Sequence, residues 1–362
     1  LKNDRKTVCI IGDGSMTSGV AYEALNNIGH TKLPMIAILN DNGFSISKTV
    51  GALSSYFQQL RTAPFYDEAK KEIHNFLQNF PGGKSVESML EGMRRGLKQS
   101  LFPNMFTALG FQYYGPIDGH DLSKLTKVLE NVKHQDKPVL LHVVTKKGKG
   151  HPDADTDPYG LHKHIGPSLP VETKLEPEGK ERPIATKSYT RAFVDALTDL
   201  SEEDPKIVAI TAAMPDGTGL VEYAEKFPDR VYDVGISEQC AVAFAAGLAH
   251  SGLRPVCAIY SSFSQRAYDI VFQEMCLNNL PVTLVLDRAG IAGEDGPTHH
   301  GNFDISSLRT FPNMTLMAPK DETELREMLK LATRAEGPVA IRLPREKTPI
   351  LTDIPQNPVV IG

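Results

Sequence analysis

The sequence contains no tryptophan, and its 362 residues include only four cysteines, Cys9, Cys240, Cys257 and Cys276. No two of them form a Cys-x-x-Cys pair, so their spacing indicates neither a disulfide framework nor a zinc site. Three of the four lie in apolar runs. We therefore expect buried free thiols in a reducing compartment.

Long apolar runs and an excess of basic residues are also missing. No stretch approaches the roughly 18 uninterrupted apolar residues of a membrane span, and the first four residues lack the apolar core of a signal peptide. Lysine plus arginine number 39 against 44 acidic residues, which gives a net charge of −5. A general attraction to nucleic acid or to an anionic membrane is therefore not expected.

The length sets the scale of the fold. At about 100–200 residues per domain, the chain is long enough for about two domains, each with its own core. The first residue is Leu1 rather than methionine, and it stands just before a strand-like run. We therefore expect the sequence to be a fragment of a longer chain.

Short β-branched runs alternate with amphipathic stretches over most of the chain. This pattern predicts an α/β fold with mainly parallel sheets flanked by helices. Strands are predicted at 7–11, 35–39, 111–114, 139–144, 207–211, 231–234, 256–260, 282–286, 315–317 and 339–343. Helices are predicted near 17–28 and 122–132, and a mostly helical insertion over about 51–109.

The middle of the chain interrupts this alternation. From Lys146 to Lys187 the sequence is rich in Gly, Pro, Asp and Lys without apolar periodicity, which indicates an ordered loop followed by a linker. The predicted domains therefore span 1–165 and 188–349, with a linker at 166–187.

An internal similarity relates the two halves. The segment from Asp121 to Leu141 aligns without a gap with the segment from Asp321 to Ile341, at an offset of 200. Each copy has an acidic helix start and a proline that opens a buried strand. One such match could also arise from ordinary strand–helix patterns. Together with the shared alternation, it favours two related α/β domains and makes a shared site plausible.

A glycine turn follows the first predicted strand, in the order Gly12-Asp13-Gly14-Ser15. Backbone N–H groups in such a turn can approach a phosphate, but the lysine of a P-loop and the third glycine of a dinucleotide turn are missing. Asp13 would repel a phosphate unless a hard cation lay between them. The turn therefore indicates a magnesium-like ion with oxygen ligands.

A second ligand source is expected at the end of the next strand. Asn42 follows that strand, with 27 residues between it and Gly14, and a right-handed crossover would bring both strand ends to one edge of the sheet. Taken singly, the first motif could be an ordinary turn and the second an Asx turn. The combination is much more specific.

With these residues the sequence resembles the thiamine-diphosphate enzymes, and within them it is most similar to the 1-deoxy-D-xylulose-5-phosphate synthase family. The matching segments occur in order along nearly the whole chain: Ile11–Gly19, Leu39–Asn42, Ser45–Ser47, Tyr114–His120, Thr145–Gly150, Asp233–Gln239, Tyr260–Asp269, Asp287–Gly290 and Asp295–His299.

The resemblance implies two related thiamine-diphosphate-binding domains, the first for the diphosphate and magnesium and the second for the pyrimidine ring. It implies a transferase that condenses pyruvate with glyceraldehyde 3-phosphate and releases carbon dioxide, feeding isoprenoid and thiamine precursor synthesis. The expected cofactors are thiamine diphosphate and Mg²⁺. A homodimer in the cytoplasm, or in the plastid stroma for a plant protein, is also implied. An earlier segment and a third domain after 350–362 are expected to be missing.

The resemblance also assigns site residues. The expected metal ligands are Asp13, Asn42 and the backbone carbonyl of Phe44. The expected cofactor-binding residues are Gly12, Asp13, Gly14, Ser15, Asn42, Phe44, Lys147, Ile236, Glu238, Phe263 and Arg266. Glu238 would hydrogen-bond the aminopyrimidine ring, and Phe263 would stack on it. His299 and Asp295 are the other expected catalytic residues. The expected substrate-binding residues are Tyr260, Arg288, Arg345 and His162.

Simpler interpretations of these residues stay open at this point. Glu238 could be an ordinary acid in the first turn of a helix, and Arg266 could pair with Asp269 three residues later. Two positions depart from the family pattern, with Cys240 where histidine is frequent and Glu346 where glycine is common. The chain could also be a transketolase, a 2-oxo-acid dehydrogenase component, or a fragment that binds cofactor without turnover.

Overall fold

The structure is a computed structural model that describes residues 6–44, 49–62, 104–151, 185–350 and 359. The chain divides into two compact units, Leu1–Lys163 and His164–Gly362. The predicted linker at 166–187 lies outside the described residues except for its last three positions, and the domain boundaries stay a prediction. Both units are α/β, and the predicted fold class is confirmed.

The first unit contains a sheet of four parallel strands in the order β1-β2-β4-β3. The strands are β1 (Thr7–Gly12), β2 (Met35–Asp41), β3 (Gln112–Asp118) and β4 (Val139–Val144). The helices are α1 (Asp13–Met16), α2 (Gly19–Thr31), α3 (Ala52–Thr62), α4 (Met105–Ala108) and α5 (Leu122–Val132). The predicted helix at 17–28 therefore begins and ends later than expected. Of the predicted insertion, α3 and α4 are helical, and 63–103 lies outside the described residues.

The position of each strand in this sheet decides its exposure. β4 is central, and its apolar run is buried. β1 lies at the edge of the sheet, and its first four residues are exposed; Ile10 is 71% exposed. Cys9 is exposed on the same strand. The expectation of a buried thiol is therefore wrong for Cys9, because an apolar run does not distinguish a central strand from an edge strand.

The second unit contains a sheet of six parallel strands in the order β10-β11-β9-β8-β6-β7, and β5 and β12 form a separate antiparallel ribbon. The strands are β5 (Thr186–Ser188), β6 (Ile207–Thr211), β7 (Val231–Asp233), β8 (Arg254–Tyr260), β9 (Thr283–Asp287), β10 (Thr315–Met317), β11 (Val339–Arg342) and β12 (Lys347–Pro349). The helices are α6 (Tyr189–Glu203), α7 (Leu220–Lys226), α8 (Glu238–His250), α9 (Ser261–Ser264), α10 (Tyr268–Ile270), α11 (Asp304–Leu308) and α12 (Glu322–Arg334), with a π-helical turn at Val271–Cys276.

Helices α6 and α12 pack on one face of the six-stranded sheet, and α8 packs on the other. α8 is rich in alanine, so it lies close to β8, and Ala241 and Ala245 are fully buried there. Cys240 lies on the outer side of this helix and is exposed. The expectation of a buried thiol is therefore wrong for Cys240 as well. Cys257 and Cys276 are buried as expected.

The internal similarity corresponds to matching structure in both units. Asp121 caps α5 by accepting a hydrogen bond from the backbone N–H of Lys124 at 3.0 Å, and Asp321 caps α12 through Glu324 at 2.9 Å. Pro138 and Pro338 precede the interior strands β4 and β11, and each proline carbonyl accepts an N–H from a neighbouring strand. The predicted helix starts and strand openings are confirmed. Within the described ranges, no helix is long and apolar enough to cross a membrane.

Candidate functional site

Asp13 lies at the carboxyl edge of the first sheet, as the crossover argument predicted. The register pairs Gly12 with Asn40, so Asp13 follows β1 beside the end of β2. Its side chain is buried, and its Oδ1 accepts the N–H of Asn42 at 3.4 Å. Asn42 in turn accepts the N–H of Phe44 through Oδ1 at 2.9 Å. The two predicted ligand sources therefore meet at one edge.

The carboxylate of Asp13 is weakly satisfied for a buried group. Its second oxygen accepts a hydrogen bond from Thr49 Oγ1 at 3.4 Å, so both bonds are longer than the usual 2.7–3.2 Å. Burial raises the pKa of Asp13 above its ordinary value, and the nearby charge of Asp41 raises it further. A hard cation would offset both effects.

The donor set fits magnesium better than a transition metal. Among the described residues no group of three or more His, Cys, Asp or Glu side chains could hold a metal ion. The available donors are one carboxylate, the Asn42 amide oxygen and the Phe44 carbonyl, and oxygen donors of this kind suit a cation that keeps other ligands of its own.

Four other predicted residues, Gly12, Gly14, Ser15 and Lys147, lie around this turn. Gly12 precedes the one-turn helix α1, and Gly14 and Ser15 are part of it. Lys147 is half-buried beyond the end of β4. Burial lowers the pKa of Lys147, and the charge of Asp13 acts in the opposite direction. His162 lies outside the described residues.

In the second unit, Glu238 begins α8 after the turn that contains Gly235 and Ile236. Its side chain is only 3% exposed, and burial raises the pKa of its carboxyl above the ordinary value. Oε2 makes no hydrogen bond within the described part of the chain. A buried carboxylate oxygen that makes no hydrogen bond is unusual in a native structure and can accept a further polar partner.

Arg266 is the charged neighbour of Glu238. Its Nη1 lies 2.7 Å from Glu238 Oε2, although the two groups are not aligned as a hydrogen bond. The alternative pairing of Arg266 with Asp269 is not what the structure shows, because Asp269 accepts a hydrogen bond from Gln273 instead. Since α9 and the following turns bend the chain after β8, simple helical spacing does not decide which residues meet.

Three predicted side chains of the second unit form an aromatic cluster. Phe263 stacks on Tyr260 with ring centroids 5.3 Å apart, and His299 contacts Phe263 edge-on at 5.1 Å. Phe263 is half-buried, so one part of its ring is accessible. Burial raises the pKa of Tyr260 well above its ordinary range, so its hydroxyl remains a neutral hydrogen-bond donor.

Two arginines flank Tyr260, as predicted from the strand ends. The guanidinium of Arg288 lies 4.3 Å from the Tyr260 ring centroid and donates to the carbonyl of Gly217 at 2.6 Å. Arg345 Nη1 lies 3.1 Å from Asp295 Oδ1, and Arg288 Nε lies 3.5 Å from Asp295 Oδ2. Asp295 therefore connects both arginines. Arg345 is the more exposed of the two, at 33% against 14%.

Both arginines line a cavity of about 380 Å³ in the second unit. The other lining residues include Ser188 and Thr190 at the start of α6, together with Gly217 and Gly219. The lining also includes Arg191 and the acids Asp216, Glu222 and Glu346, so three arginines are balanced by three carboxylates, and the volume is sufficient for a small polar molecule. Tyr260, Arg288, Asp295, His299 and Arg345 thus form one cluster, which the sequence predicted without its geometry.

Gly217 is required by the close approach of Tyr260. A Cβ atom built on Gly217 would lie 2.1 Å from the Tyr260 hydroxyl oxygen. We expect Gly217→Ala to destabilise the second unit by about 1–3 kcal/mol, since overpacking forces side chains out of their rotamers. Scanning calorimetry should show a lower unfolding midpoint. Gly247→Ala is the matched control, because a Cβ there meets nothing within 4 Å. An equal midpoint shift in both variants would contradict this account.

Sequence reasoning missed several buried polar residues near these clusters. Asp287 is 1% exposed and accepts hydrogen bonds from Thr190 Oγ1 and the N–H of Arg288. Asp41 and His142 are completely buried and lie 2.9 Å apart. A histidine inside the apolar run of β4 was the available signal, because a polar side chain in a central strand needs a buried partner.

Comparisons with known proteins agree with the sequence resemblance. Residues 1–145 match the family model described as 1-deoxy-D-xylulose-5-phosphate synthase, and residues 185–350 match the transketolase pyrimidine-binding domain. A 1-deoxy-D-xylulose-5-phosphate synthase 1 of Geobacter sulfurreducens is 54% identical over 94% of this chain and 53% of the relative. A synthase of Desulfitobacterium hafniense is 50% identical over 95% of this chain and 54% of the relative.

The chain spans about half the length of the curated relatives it matches. Among solved structures, transketolase from Campylobacter jejuni is 21% identical, with 98% of this chain and 59% of that chain covered. Its TM-score of 0.45 is too low to add to the description of the fold.

Proposed function

Since this chain belongs to the 1-deoxy-D-xylulose-5-phosphate synthase family, we propose that it acts in the thiamine-diphosphate-dependent condensation of pyruvate with glyceraldehyde 3-phosphate. The products are 1-deoxy-D-xylulose 5-phosphate and carbon dioxide. The observation that carries this proposal is the buried carboxyl of Glu238, whose Oε2 has no hydrogen bond within the described residues. The Arg266 guanidinium lies 2.7 Å from this oxygen without the alignment of a hydrogen bond, and in this proposal the aminopyrimidine ring of the cofactor makes the hydrogen bond.

In this proposal the first unit holds the diphosphate end of the cofactor and a magnesium ion. Asp13 and the side chain of Asn42 are the cation ligands, together with the Phe44 carbonyl. The backbone around Gly14 and the ammonium of Lys147 neutralise the diphosphate. The support comes from the weak hydrogen bonds of the buried Asp13 carboxylate, both 3.4 Å long.

The second unit binds the pyrimidine ring. Thiamine diphosphate held there would supply the carbanion chemistry that the decarboxylation of pyruvate needs. Burial raises the pKa of Glu238, although the charge of Arg266 lowers it, and the raised pKa favours a carboxyl that shares a proton with a ring nitrogen in a hydrogen bond. Phe263 offers an accessible ring face for stacking, and Arg266 balances the charge of Glu238 when the proton leaves.

The cluster around Tyr260 binds the acceptor. Arg345 is partly exposed and can reach an anionic group, and the half-buried Arg288 lies over the ring of Tyr260, whose hydroxyl stays neutral. Guanidinium groups are well suited to phosphate because they bind it with two parallel hydrogen bonds. His299 contacts the Phe263 ring, and in this proposal it exchanges protons with the reacting carbons, while Asp295 pairs with both arginines.

The reaction is tested with the full-length protein, because the chain matches only about half of its relatives. Pyruvate labelled with ¹³C is incubated with glyceraldehyde 3-phosphate, Mg²⁺ and thiamine diphosphate, and products are followed by NMR. We expect label in deoxyxylulose phosphate and stoichiometric release of carbon dioxide. Turnover without carbon dioxide would point to a transketolase instead, and absence of the labelled sugar would refute the proposal. The homodimer stays a prediction, which light scattering of the purified protein tests.

A neutral replacement of Arg345 separates acceptor binding from the other steps. We expect Arg345→Gln to raise the KM for glyceraldehyde 3-phosphate by about 10–100-fold and to leave the KM for pyruvate nearly unchanged. Unphosphorylated glyceraldehyde should react equally well with both proteins. Arg326→Gln is the control, since Arg326 forms a surface pair with Asp199 in the same unit. Parallel losses with both aldehydes would show that Arg345 does not bind the phosphate.

A further inference from the structure

A chain of polar side chains crosses the interior of the first unit and ends beside Asp13. Asp41 accepts hydrogen bonds from Arg61 Nη1 at 2.6 Å and pairs with His142 Nε2 at 2.9 Å. The other ring nitrogen of His142 lies 2.7 Å from the Tyr113 hydroxyl. The simplest proton arrangement has Tyr113 donating to Nδ1 and Nε2–H donating to Asp41.

The surroundings of this chain are apolar. His142 lies 6.3 Å from the ring centroid of Phe57, and Phe106 stacks on Phe57 and on Tyr113. Placing a carboxylate and an imidazole among phenylalanines is unfavourable unless both are fully paired. Apolar residues of similar volume would hold β2, β4 and α3 together as well. The polar chain therefore calls for a reason other than packing.

The position of Asp41 provides a reason for these buried polar side chains. It is the last residue of β2, directly before Asn42, and the register with β1 places it beside Asp13. Asp41 also raises the pKa of Asp13 through its charge, so the two carboxylates interact electrostatically. Only Asp13 is available to a ligand, because both oxygens of Asp41 are engaged by Arg61 and His142.

Arg61 contacts the same turn. A Cβ atom built on Gly43, whose φ is +74°, would lie 3.4 Å from Arg61 Nη1. The guanidinium thus lies against the turn that carries Asn42 and Phe44. The charge of Arg61 partly cancels that of Asp41, and its side chain is 25% exposed.

We propose that Asp41 is a positioning residue whose carboxylate, partly neutralised by Arg61 and oriented by His142, sets the affinity of the Asp13–Asn42 turn for a divalent cation. The inference rests on the proposed cation site and adds a residue that does not touch the ion. The charge of Asp41 strengthens cation binding, and the charge of Arg61 weakens it. The sign of each charge effect follows from Coulomb's law at short range in a poorly solvated interior.

The test measures Mn²⁺ binding to the full-length protein by electron paramagnetic resonance, with saturating thiamine diphosphate at one fixed pH. We expect Asp41→Asn to weaken Mn²⁺ binding by about tenfold, and Arg61→Gln to tighten it by about threefold. Arg61→Lys retains the charge and should stay within about twofold of the parent. Tyr113→Phe removes an uncharged member and should also leave the affinity unchanged while lowering the unfolding midpoint.

The opposite signs distinguish this role from a structural one. If the network only stabilised the fold, Arg61→Gln would weaken binding or leave it unchanged, and either result overturns the inference. Should Asp41→Asn fail to fold, the comparison of Arg61→Gln with Arg61→Lys still decides the question. Asp13→Asn tests the underlying site: unchanged Mn²⁺ binding in that variant rejects the proposed cation site itself. Loss in Asp13→Asn with no change in the Asp41 and Arg61 variants rejects only the present inference.

Discussion

Replacing Glu238 by glutamine is expected to lower kcat of the full-length protein by about 10²–10⁴-fold, the range typical for loss of an acid–base group. Glutamine keeps the size of the side chain and its place at the start of α8, but it cannot exchange a proton. The cofactor should still bind, because the residues proposed for its diphosphate and cation, Asp13 and Asn42, are unchanged in this variant. Proton–deuterium exchange at C2 of the bound cofactor, followed by NMR, should slow in proportion to kcat.

Glu225→Gln is the matched control for this variant. Glu225 is an exposed acid in the same unit, so its replacement should leave both rates unchanged. If Glu238→Gln exchanged deuterium at the parent rate, the carboxyl would have no part in activating the cofactor. A loss of cofactor affinity with normal exchange in the residual complex would instead give Glu238 a purely binding role.

The same replacement should stabilise the unliganded protein at neutral and higher pH. Burial raises the pKa of Glu238 above its ordinary 4.5. Ionisation of this carboxyl therefore lowers the free energy of unfolding once the pH exceeds the raised pKa. Glutamine removes this disadvantage. The gain in unfolding midpoint should therefore be present at pH 8 and should disappear as the pH falls towards 4.5.

Replacing Asp13 by asparagine is expected to weaken magnesium-dependent binding of thiamine diphosphate by about 100-fold or more. Asparagine preserves the shape and can still accept the N–H of Asn42, but it removes the negative charge that a divalent cation requires. Calorimetric titration of the cofactor at several Mg²⁺ concentrations measures the effect. The parent should show strong dependence on Mg²⁺, and the variant should show almost none.

Asp136→Asn controls for loss of an acidic residue elsewhere in the same unit, since Asp136 is exposed. Its cofactor affinity should equal that of the parent at every Mg²⁺ concentration. A variant at Asp13 that kept the parent's Mg²⁺ dependence would place the cation elsewhere. The rate of C2 exchange in cofactor that remains bound should be nearly normal, in contrast to Glu238→Gln.

Much of the fold follows from local sequence patterns. The alternation of strands and helices predicted the parallel sheets, and the helix starts at Asp121 and Asp321 follow from capping chemistry. The ribbon of β5 and β12 was missed, because strands of three residues are too short for a periodic signal. The exposure of Cys9 was also missed, because it depends on the order of strands in the sheet and not on the residues nearby.

The candidate site was predictable only in part, for a similar reason. Strand ends placed Asp13 near Asn42, and a motif resemblance brought together Tyr260, Arg288 and Arg345. The partner of Arg266 depends on how the polypeptide bends after β8. The hydrogen-bonded side chains Arg61, Asp41, His142 and Tyr113 belong to four elements that are far apart in sequence. Contacts between residues that are distant in sequence produce no local sequence pattern from which they could be predicted.

The close contact between Gly217 and Tyr260 links the choice of residue at two positions that are 43 residues apart in the chain. With tyrosine at 260, any side chain at 217 collides with the hydroxyl oxygen at 2.1 Å, whereas phenylalanine at 260 would leave the ring carbon at 2.8 Å as the nearest atom of that ring. Loss of the hydroxyl removes the shortest contact, but the ring carbon at 2.8 Å and Met214 Cε at 2.9 Å must still shift before a Cβ atom fits at 217. Among related sequences, these two positions are expected to vary together, with glycine retained wherever the tyrosine is kept.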